Sequence, residues 1–274
     1  MNLKKISILA VLALSMMLLT VFISPAGAIT DGELDREGHP QVVLLLMEVD
    51  GAPAYRCSAT LLSPTVVLTA GHCTSNYPDG EYSGMRVFTE SDVENGNNNY
   101  PFAGPNSVEA VSWETHSLYE TAPFFVHDVG VVILEEPGVE LEDIDYAKLP
   151  TVDQLDGLKT RRGQHKTTFT SVGYGLQEIN PAHVIGERIR MVANPRLIQI
   201  NTPGFTGDFS LLLSNNHSTG GTCFGDSGGP NFLGDSNVVA GITSFGINGN
   251  CAGTGGVFRT DRQNVLDFIN GFLD

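Results

Sequence analysis

The sequence predicts an all-β protein built as two halves, with one helix at its C-terminus. Short runs rich in Val, Ile, Leu and aromatic residues recur along the chain between clusters of Gly, Asn, Pro and Asp, the pattern of strands separated by tight turns. Glycine is abundant, at 31 of 274 residues, while 41% of residues are hydrophobic, so the turns surround a real core and the chain is neither disordered nor collagen-like. Only the tail has a helical period. From Asp261 onward Val265, Phe268, Ile269 and Phe272 recur at three- and four-residue steps, which puts one apolar face against the body.

Residues 1–28 address the chain rather than fold it. Lys4 and Lys5 precede an apolar run from Ile6 to Ile23, which ends in Ser24-Pro25-Ala26-Gly27-Ala28, so a secretory signal peptide cut after Ala28 is expected, leaving a chain that starts at Ile29. An uncleaved anchor is the alternative, since about 18 apolar residues can just span a bilayer. Ala26 and Ala28 fit the small-residue rule at a cleavage site, however, and Pro25 ends the helix. No stable membrane anchor is expected after cleavage, and the protein is expected to be secreted, either extracellular or periplasmic. Strands are then predicted at Gln41–Glu48, Val66–Ala70, Val129–Leu134, Phe169–Tyr174, Glu187–Val192, Leu197–Ile200 and Val238–Phe245. The polar, turn-rich stretch from about Asp145 to Lys166 marks the junction, giving halves at about 29–150 and 151–274.

Charge follows the same division. The net charge is −16, and residues 29–150 carry 21 acidic side chains against four basic ones (Arg36, Arg56, Arg86 and Lys148), whereas 151–274 carry ten against nine. Nucleic acid is excluded as a partner on this balance, because phosphate binding needs clustered Lys and Arg. Export permits disulfides. Four cysteines, Cys57, Cys73, Cys223 and Cys251, allow three pairings, and nothing in their spacing matches a zinc site.

Three motifs can carry chemistry. Thr69-Ala70-Gly71-His72-Cys73 ends an apolar strand, His127-Asp128-Val129-Gly130 leads into Val131-Val132-Ile133-Leu134, and Gly225-Asp226-Ser227-Gly228-Gly229-Pro230 is a glycine-rich turn. A serine hydroxyl is a poor nucleophile until an imidazole takes its proton, and the imidazole needs a carboxylate to fix its tautomer and stabilise its charged form. His72, Asp128 and Ser227 supply those parts. Singly, each reads as an ordinary turn or strand-end residue.

In the order His, Asp, Ser, the motifs resemble the trypsin/chymotrypsin family of serine proteases. The similarity runs from Ile29 to the C-terminal helix. Cys57-Ser58-Ala59-Thr60-Leu61-Leu62 resembles the family segment whose cysteine pairs with the one after the catalytic His. Ser171-Val172-Gly173-Tyr174-Gly175 is similar to the first strand of the family's second barrel, and Ser244-Phe245-Gly246 to the strand that lines the substrate. The resemblance implies two packed six-stranded antiparallel β-barrels, with His72 and Asp128 from the first and Ser227 from the second facing a shared cleft. It implies a serine endopeptidase acting on protein or peptide substrates through an acyl-enzyme, without cofactor or metal, and a monomer is expected. It also selects the pairings Cys57–Cys73 and Cys223–Cys251.

The same resemblance assigns the oxyanion-binding amides to Gly225 and Ser227, and gives Ser244 the task of supporting Asp128. It pairs a new amino terminus at Ile29 with Asp226, so that signal cleavage itself would create the activating end. For specificity it makes Gly221 the pocket floor and Gly246 and Gly256 the walls, with Phe245 in place of the usual Trp. With no Asp at 221, cleavage after Lys or Arg is disfavoured and large uncharged residues are favoured. The lengths after Gly246 and between Cys251 and Gly256 depart from common members, which weakens the pocket reading. Glu90-Ser91-Asp92-Val93-Glu94-Asn95 lies where some members hold calcium, but is read as a surface loop. Asn216-His217-Ser218 is a formal glycosylation sequon. A non-catalytic binding protein on the same fold is the main rival, although such relatives usually lose a triad residue. An esterase is disfavoured because its triad order would be Ser, Asp, His.

Overall fold

A computed structural model describes residues 29–273 apart from 76–80, 120–125, 143, 159–166, 181–182 and 203–205. The expected signal peptide, 1–28, and part of the expected junction therefore lie outside the described residues. The chain enters through β1 (Glu33–Leu34) and continues through β2 (Val42–Val49), β3 (Ala52–Leu61), β4 (Val66–Thr69), β5 (Gly84–Phe88), β6 (Ser107–Thr115) and β7 (Gly130–Leu134). Strands β2 to β7 close an antiparallel barrel in the order β2-β3-β4-β7-β6-β5. The run Val66-Val67-Leu68-Thr69 is buried at every position, so this strand is covered on both faces. Most of β6 lies at the surface, and its apolar and polar residues mix accordingly.

The second half contributes β8 (Phe169–Gly173), a hairpin of β9 (Glu178–Asn180) and β10 (His183–Ile185), then β11 (Met191–Ala193), β12 (Leu197–Thr202), β13 (Gly207–Asn215), β14 (Pro230–Leu233), β15 (Val239–Gly246) and β16 (Gly253–Arg259). They form an eight-stranded antiparallel sheet ordered β1-β11-β8-β14-β15-β16-β13-β12. This sheet curls back on itself. A bridge between Thr168 and Arg196, with backbone bonds from Leu197 N to Thr167 O and from Phe169 N to Pro195 O, ties the start of β8 to the start of β12.

Two local expectations change. The N-terminal segment belongs structurally to the second half: Glu33 pairs with Val192, Leu34 with Met191, and Thr30 forms a bridge with Gly221. A buried ion pair holds the crossing, Arg190 Nε donating to Asp35 Oδ2 at 2.8 Å with both side chains essentially inaccessible. Residues 187–190, expected as strand, instead lie along the 91–93 loop, with Val93 N donating to Arg188 O and Arg190 N to Ser91 O. The buried guanidinium dictates that path, because it must reach Asp35, Val42 O and the Tyr174 hydroxyl together.

The polypeptide ends in helix α2 (Gln263–Asn270), following the single turn α1 (Gly71–Thr74) of the first half. Val265, Leu266 and Ile269 of α2 are buried, as the periodicity requires, and Phe268 and Phe272 pack partly buried beside them. The helix reaches back to the first barrel. The His116 and His127 rings stack at 5.0 Å, Phe268 meets His116 edge-on at 5.1 Å, and Asn264 Nδ2 donates to His127 Nδ1 at 3.3 Å. His127 adopts φ +57°, so this contact fixes an unusual backbone turn immediately before Asp128.

Candidate active site

His72 sits on α1, directly after β4, and its neighbour Cys73 is bonded to Cys57 on β3. Asp128 precedes β7, the hydrogen-bonded neighbour of β4, so two adjacent strands bring the pair together. The Asp128 carboxylate is fully buried. It accepts from His72 N at 2.9 Å, lies 2.9 Å (Oδ2) and 3.1 Å (Oδ1) from His72 Nδ1, and receives the Ser244 hydroxyl at Oδ2. Burial disfavours the charged imidazolium, yet the Asp128 charge and hydrogen bond outweigh it, so the His72 pKa is raised above its ordinary value. A carboxylate on Nδ1 fixes the tautomer in which Nε2 is the proton-accepting nitrogen.

Ser227 comes from the turn between Cys223 and β14, and lines the same cleft as His72. Cys223 is bonded to Cys251, which tethers this turn to the loop after β15. Gly225 adopts φ +96°, a conformation that a side chain would oppose. Much of the turn around it is engaged: Leu176 N donates to Phe224 O, Asp226 N to Cys223 O, Gly228 N to Thr243 O and Gly229 N to Asp226 O. The amides of Gly225 and Ser227 have no acceptor among the described residues. The family resemblance assigns to these two amides the role of donors for a developing oxyanion.

Asp226 points the other way. Its carboxylate is fully buried, accepts from Gly175 N and Cys223 N at 2.8 Å each, and has no ion pair among the described residues. Burial pushes its pKa up to about 7, against the pull of those two amides and of Arg56. Ile29 is fully buried against Met191 and Ala193 in the same half.

The cleft, of about 380 Å³, is lined by Thr222, Phe224, Thr243, Phe245, Gly246 and Asn248 besides His72, Ser227, Ser244 and the Cys223–Cys251 bridge. Among the described residues His72 is its one titratable lining group, and Gly246 opens onto it freely. Two pocket expectations fail. Gly221 does not line the cleft, because the Asn215 side chain fills the space beside it: a Cβ at 221 would lie 2.3 Å from Asn215 Cγ. Asn215 is fixed there by accepting from Thr30 Oγ1 and donating to Thr222 O. Gly256 is likewise no open wall, since a Cβ there would lie 2.3 Å from the Phe245 ring. Thr222 and Phe245 therefore bound the cleft where the two glycines were expected. The signal for Asn215 was slight, one of two amides, Asn215-Asn216, that follow Leu211-Leu212-Leu213-Ser214.

The oxygen-rich loop after β5 is closed by amides. Glu90 accepts from Asn97 N and from the side chains of Asn98 and Asn106, and Asp92 from Asn95 N.

A closed six-stranded barrel beside a curled eight-stranded sheet, where a second six-stranded barrel was expected, with an imidazole–carboxylate pair and a serine lining one cleft, defines the class of serine hydrolases with a His, Asp, Ser chain order. The chain matches the trypsin family model over residues 32–269, and it belongs to that family of serine proteases. It is 30% identical to brachyurin of Leptuca pugilator over 203 residues, covering 72% of this chain and 78% of the relative. It is 24% identical to a collagenase of Hypoderma lineatum over 215 residues, covering 78% and 74%. The solved structure of HL collagenase superposes with a TM-score of 0.66 at 22% identity, covering 89% of this chain and 97% of that one. A mutant of human heparin binding protein superposes with a TM-score of 0.63 at 17% identity, covering 89% and 96%.

Proposed function

We propose that the protein is a secreted endopeptidase that cleaves after uncharged side chains. Ser227 is the nucleophile, His72 the general base and then acid, and Asp128 the group that orients and stabilises the imidazolium. The buried Asp128 carboxylate on His72 Nδ1, in a cleft that His72 shares with Ser227, carries this reading, and the amides of Gly225 and Ser227, without an acceptor among the described residues, support it as oxyanion donors. Attack by Ser227 Oγ moves the carbonyl electrons onto oxygen, where these donors stabilise the charge. His72 passes the serine proton to the leaving amine, and water then repeats the cycle on the acyl-enzyme. Ser244 holds Asp128, and the two disulfides hold the loops of His72 and Ser227.

Among the described residues the cleft has no acidic lining group to pair with a P1 Lys or Arg. Thr222, backed by Asn215, limits its depth, so Leu and Met suit it better than the largest aromatic side chains. Ile29, freed by signal cleavage, is the partner proposed for Asp226. A second reading, a binding protein on this fold, has the heparin binding protein as its structural neighbour. A chain of net charge −16, with its acidity concentrated in the half that bears His72, does not suit a polyanion. The test is a panel of peptide amides differing only at P1, incubated with the purified secreted protein. Cleavage after Leu or Met and none after Lys is expected, and cleavage confined to Lys and Arg would overturn the pocket assignment.

A further inference from the structure

Ser58 is a serine with no exposed surface, in the buried stretch of β3. A buried hydroxyl is costly unless hydrogen-bonded, and here every polar group that Ser58 turns away from its own strand is engaged. Its hydroxyl donates to Gly225 O at 3.0 Å and accepts from Tyr174 N at 2.9 Å. Its backbone N donates to Ser227 O at 2.8 Å, and its carbonyl accepts from Thr69 Oγ1 at 3.0 Å. Three of these four bonds cross from the first barrel to the second.

The second barrel leaves room for this side chain by omitting its own. A Cβ on Gly173 would lie 3.0 Å from Ser58 Oγ, and one on Gly229 would lie 3.0 Å from Ser58 Cβ. A Cβ on Gly228 would come within 2.4 Å of Ser58 O. Ser58 thus lies against Gly173 of β8 and against Gly228 and Gly229 of the turn that carries Ser227.

The consequence follows from peptide geometry. The peptide between Gly225 and Asp226 is held at both edges, its C=O by the Ser58 hydroxyl and its N–H by Cys223 O. The preceding peptide is held at Phe224 O by Leu176 N. The Gly225 N–H belongs to that preceding peptide, so its direction is set by the hold on its own carbonyl, Phe224 O, and on the Gly225–Asp226 peptide that follows. Next to Ser58 on β3, Cys57 is bonded to Cys73 and so holds the turn that carries His72. One strand of the first barrel therefore clamps both halves of the chemistry, His72 through Cys57 and the Ser227 turn through Ser58.

We infer that Ser58 is a positioning residue for the oxyanion site: its hydroxyl sets the Gly225 peptide so that the Gly225 and Ser227 amides converge on the carbonyl oxygen of the substrate. It touches no substrate atom. The inference rests on the protease reading, and it assigns to the first barrel a role in the half of the mechanism carried by the second.

The test is Ser58→Ala, with Ser58→Gly as a second variant that also lacks the hydroxyl and adds no bulk. Because the loss falls on transition-state stabilisation, kcat should fall by about 10- to 100-fold, less than the roughly 100- to 1,000-fold for deleting an oxyanion donor outright. KM should stay within about threefold. The Ki of a peptide aldehyde, whose adduct puts an oxygen in the oxyanion position, should rise by a factor similar to the fall in kcat. Hydrogen exchange at the Tyr174 amide should be slow in the wild type and accelerate in both variants. A purely structural role would lower thermal stability without the split between kcat and KM. An active wild type whose folded variants keep kcat and aldehyde affinity overturns the role of Ser58 and leaves the protease reading intact. An inert wild type whose variants still show accelerated Tyr174 exchange overturns the protease reading and leaves the strut in place. Fast Tyr174 exchange in the wild type overturns the strut without recourse to any variant.

Discussion

Replacing Asp226 with Asn separates two roles that a buried carboxylate can have beside the nucleophile. In the chain that keeps residues before Ile29, Asp226 is fully buried, held by two backbone amides, and its pKa is pushed up to about 7 from an ordinary 3.8. A shift of that size corresponds to roughly 4 kcal/mol between the two protonation states. The folded state binds the proton more tightly than the unfolded state, so stability is greatest when Asp226 is protonated and falls as pH rises from about 4 to about 7. D226N in this uncleaved chain should remove the fall and be more stable than wild type above pH ~7. In a chain starting at Ile29, the new ammonium keeps the carboxylate ionised, the slope disappears, and D226N costs the ~3–5 kcal/mol typical of a buried pair broken on one side. Urea unfolding of the four proteins between about pH 4 and pH 8, in a Ser227→Ala background to prevent self-cleavage, measures both effects. If the uncleaved D226N protein keeps the wild-type pH slope, Asp226 is not the titrating group. If D226N is no worse in the Ile29-start chain than in the uncleaved one, the amino terminus does not pair with it.

Three further outcomes follow from the site. Ser244→Ala removes the hydroxyl donated to the buried Asp128 carboxylate, and kcat/KM should fall by about tenfold with little change in KM, read from steady-state kinetics. The general base must be neutral to act, so kcat/KM should decline as pH falls through a His72 pKa above the ordinary histidine value. In Asp128→Asn, where burial is left unopposed, the residual activity should decline at a lower pH, as pH–rate profiles of both proteins would record. Gly221→Asp alone should not create cleavage after Arg, because Asn215 occupies the space its side chain needs; pairing it with Asn215→Gly should, as a P1-Arg amide assay would detect.

The parts of the fold legible in the sequence were those where one residue type dominates a short run. The buried Val66-Val67-Leu68-Thr69 strand and the Val131–Leu134 strand announced themselves, and with them the positions of His72 and Asp128 at their ends. The amphipathic helix was equally clear from Val265 and Ile269. Strand β16 was hidden because Gly253, Gly255 and Gly256 remove the apolar signal from a strand whose neighbours' side chains fill the space. Residues 187–190 read as strand because Ile189 alternates with charged residues, yet the demand of buried Arg190 for acceptors from several segments overrode that local pattern. The pocket misled for a similar reason. Gly221 and Gly256 look like open space in one dimension, and only the tertiary structure brings Asn215 and Phe245 into it. Ser58 carried no clear mark in the sequence, because its meaning depends on a partner 167 positions away.

The central claim is that Ser227, activated by His72, is the nucleophile of this cleft. Intact-mass measurement after treatment with a fluorophosphonate tests it most directly, on the secreted wild-type protein and on Ser227→Ala side by side. One adduct per wild-type chain, mapped to Ser227, and none on the Ala variant is the result expected. An adduct that persists in Ser227→Ala, or a folded wild type starting at Ile29 that takes none, would contradict it.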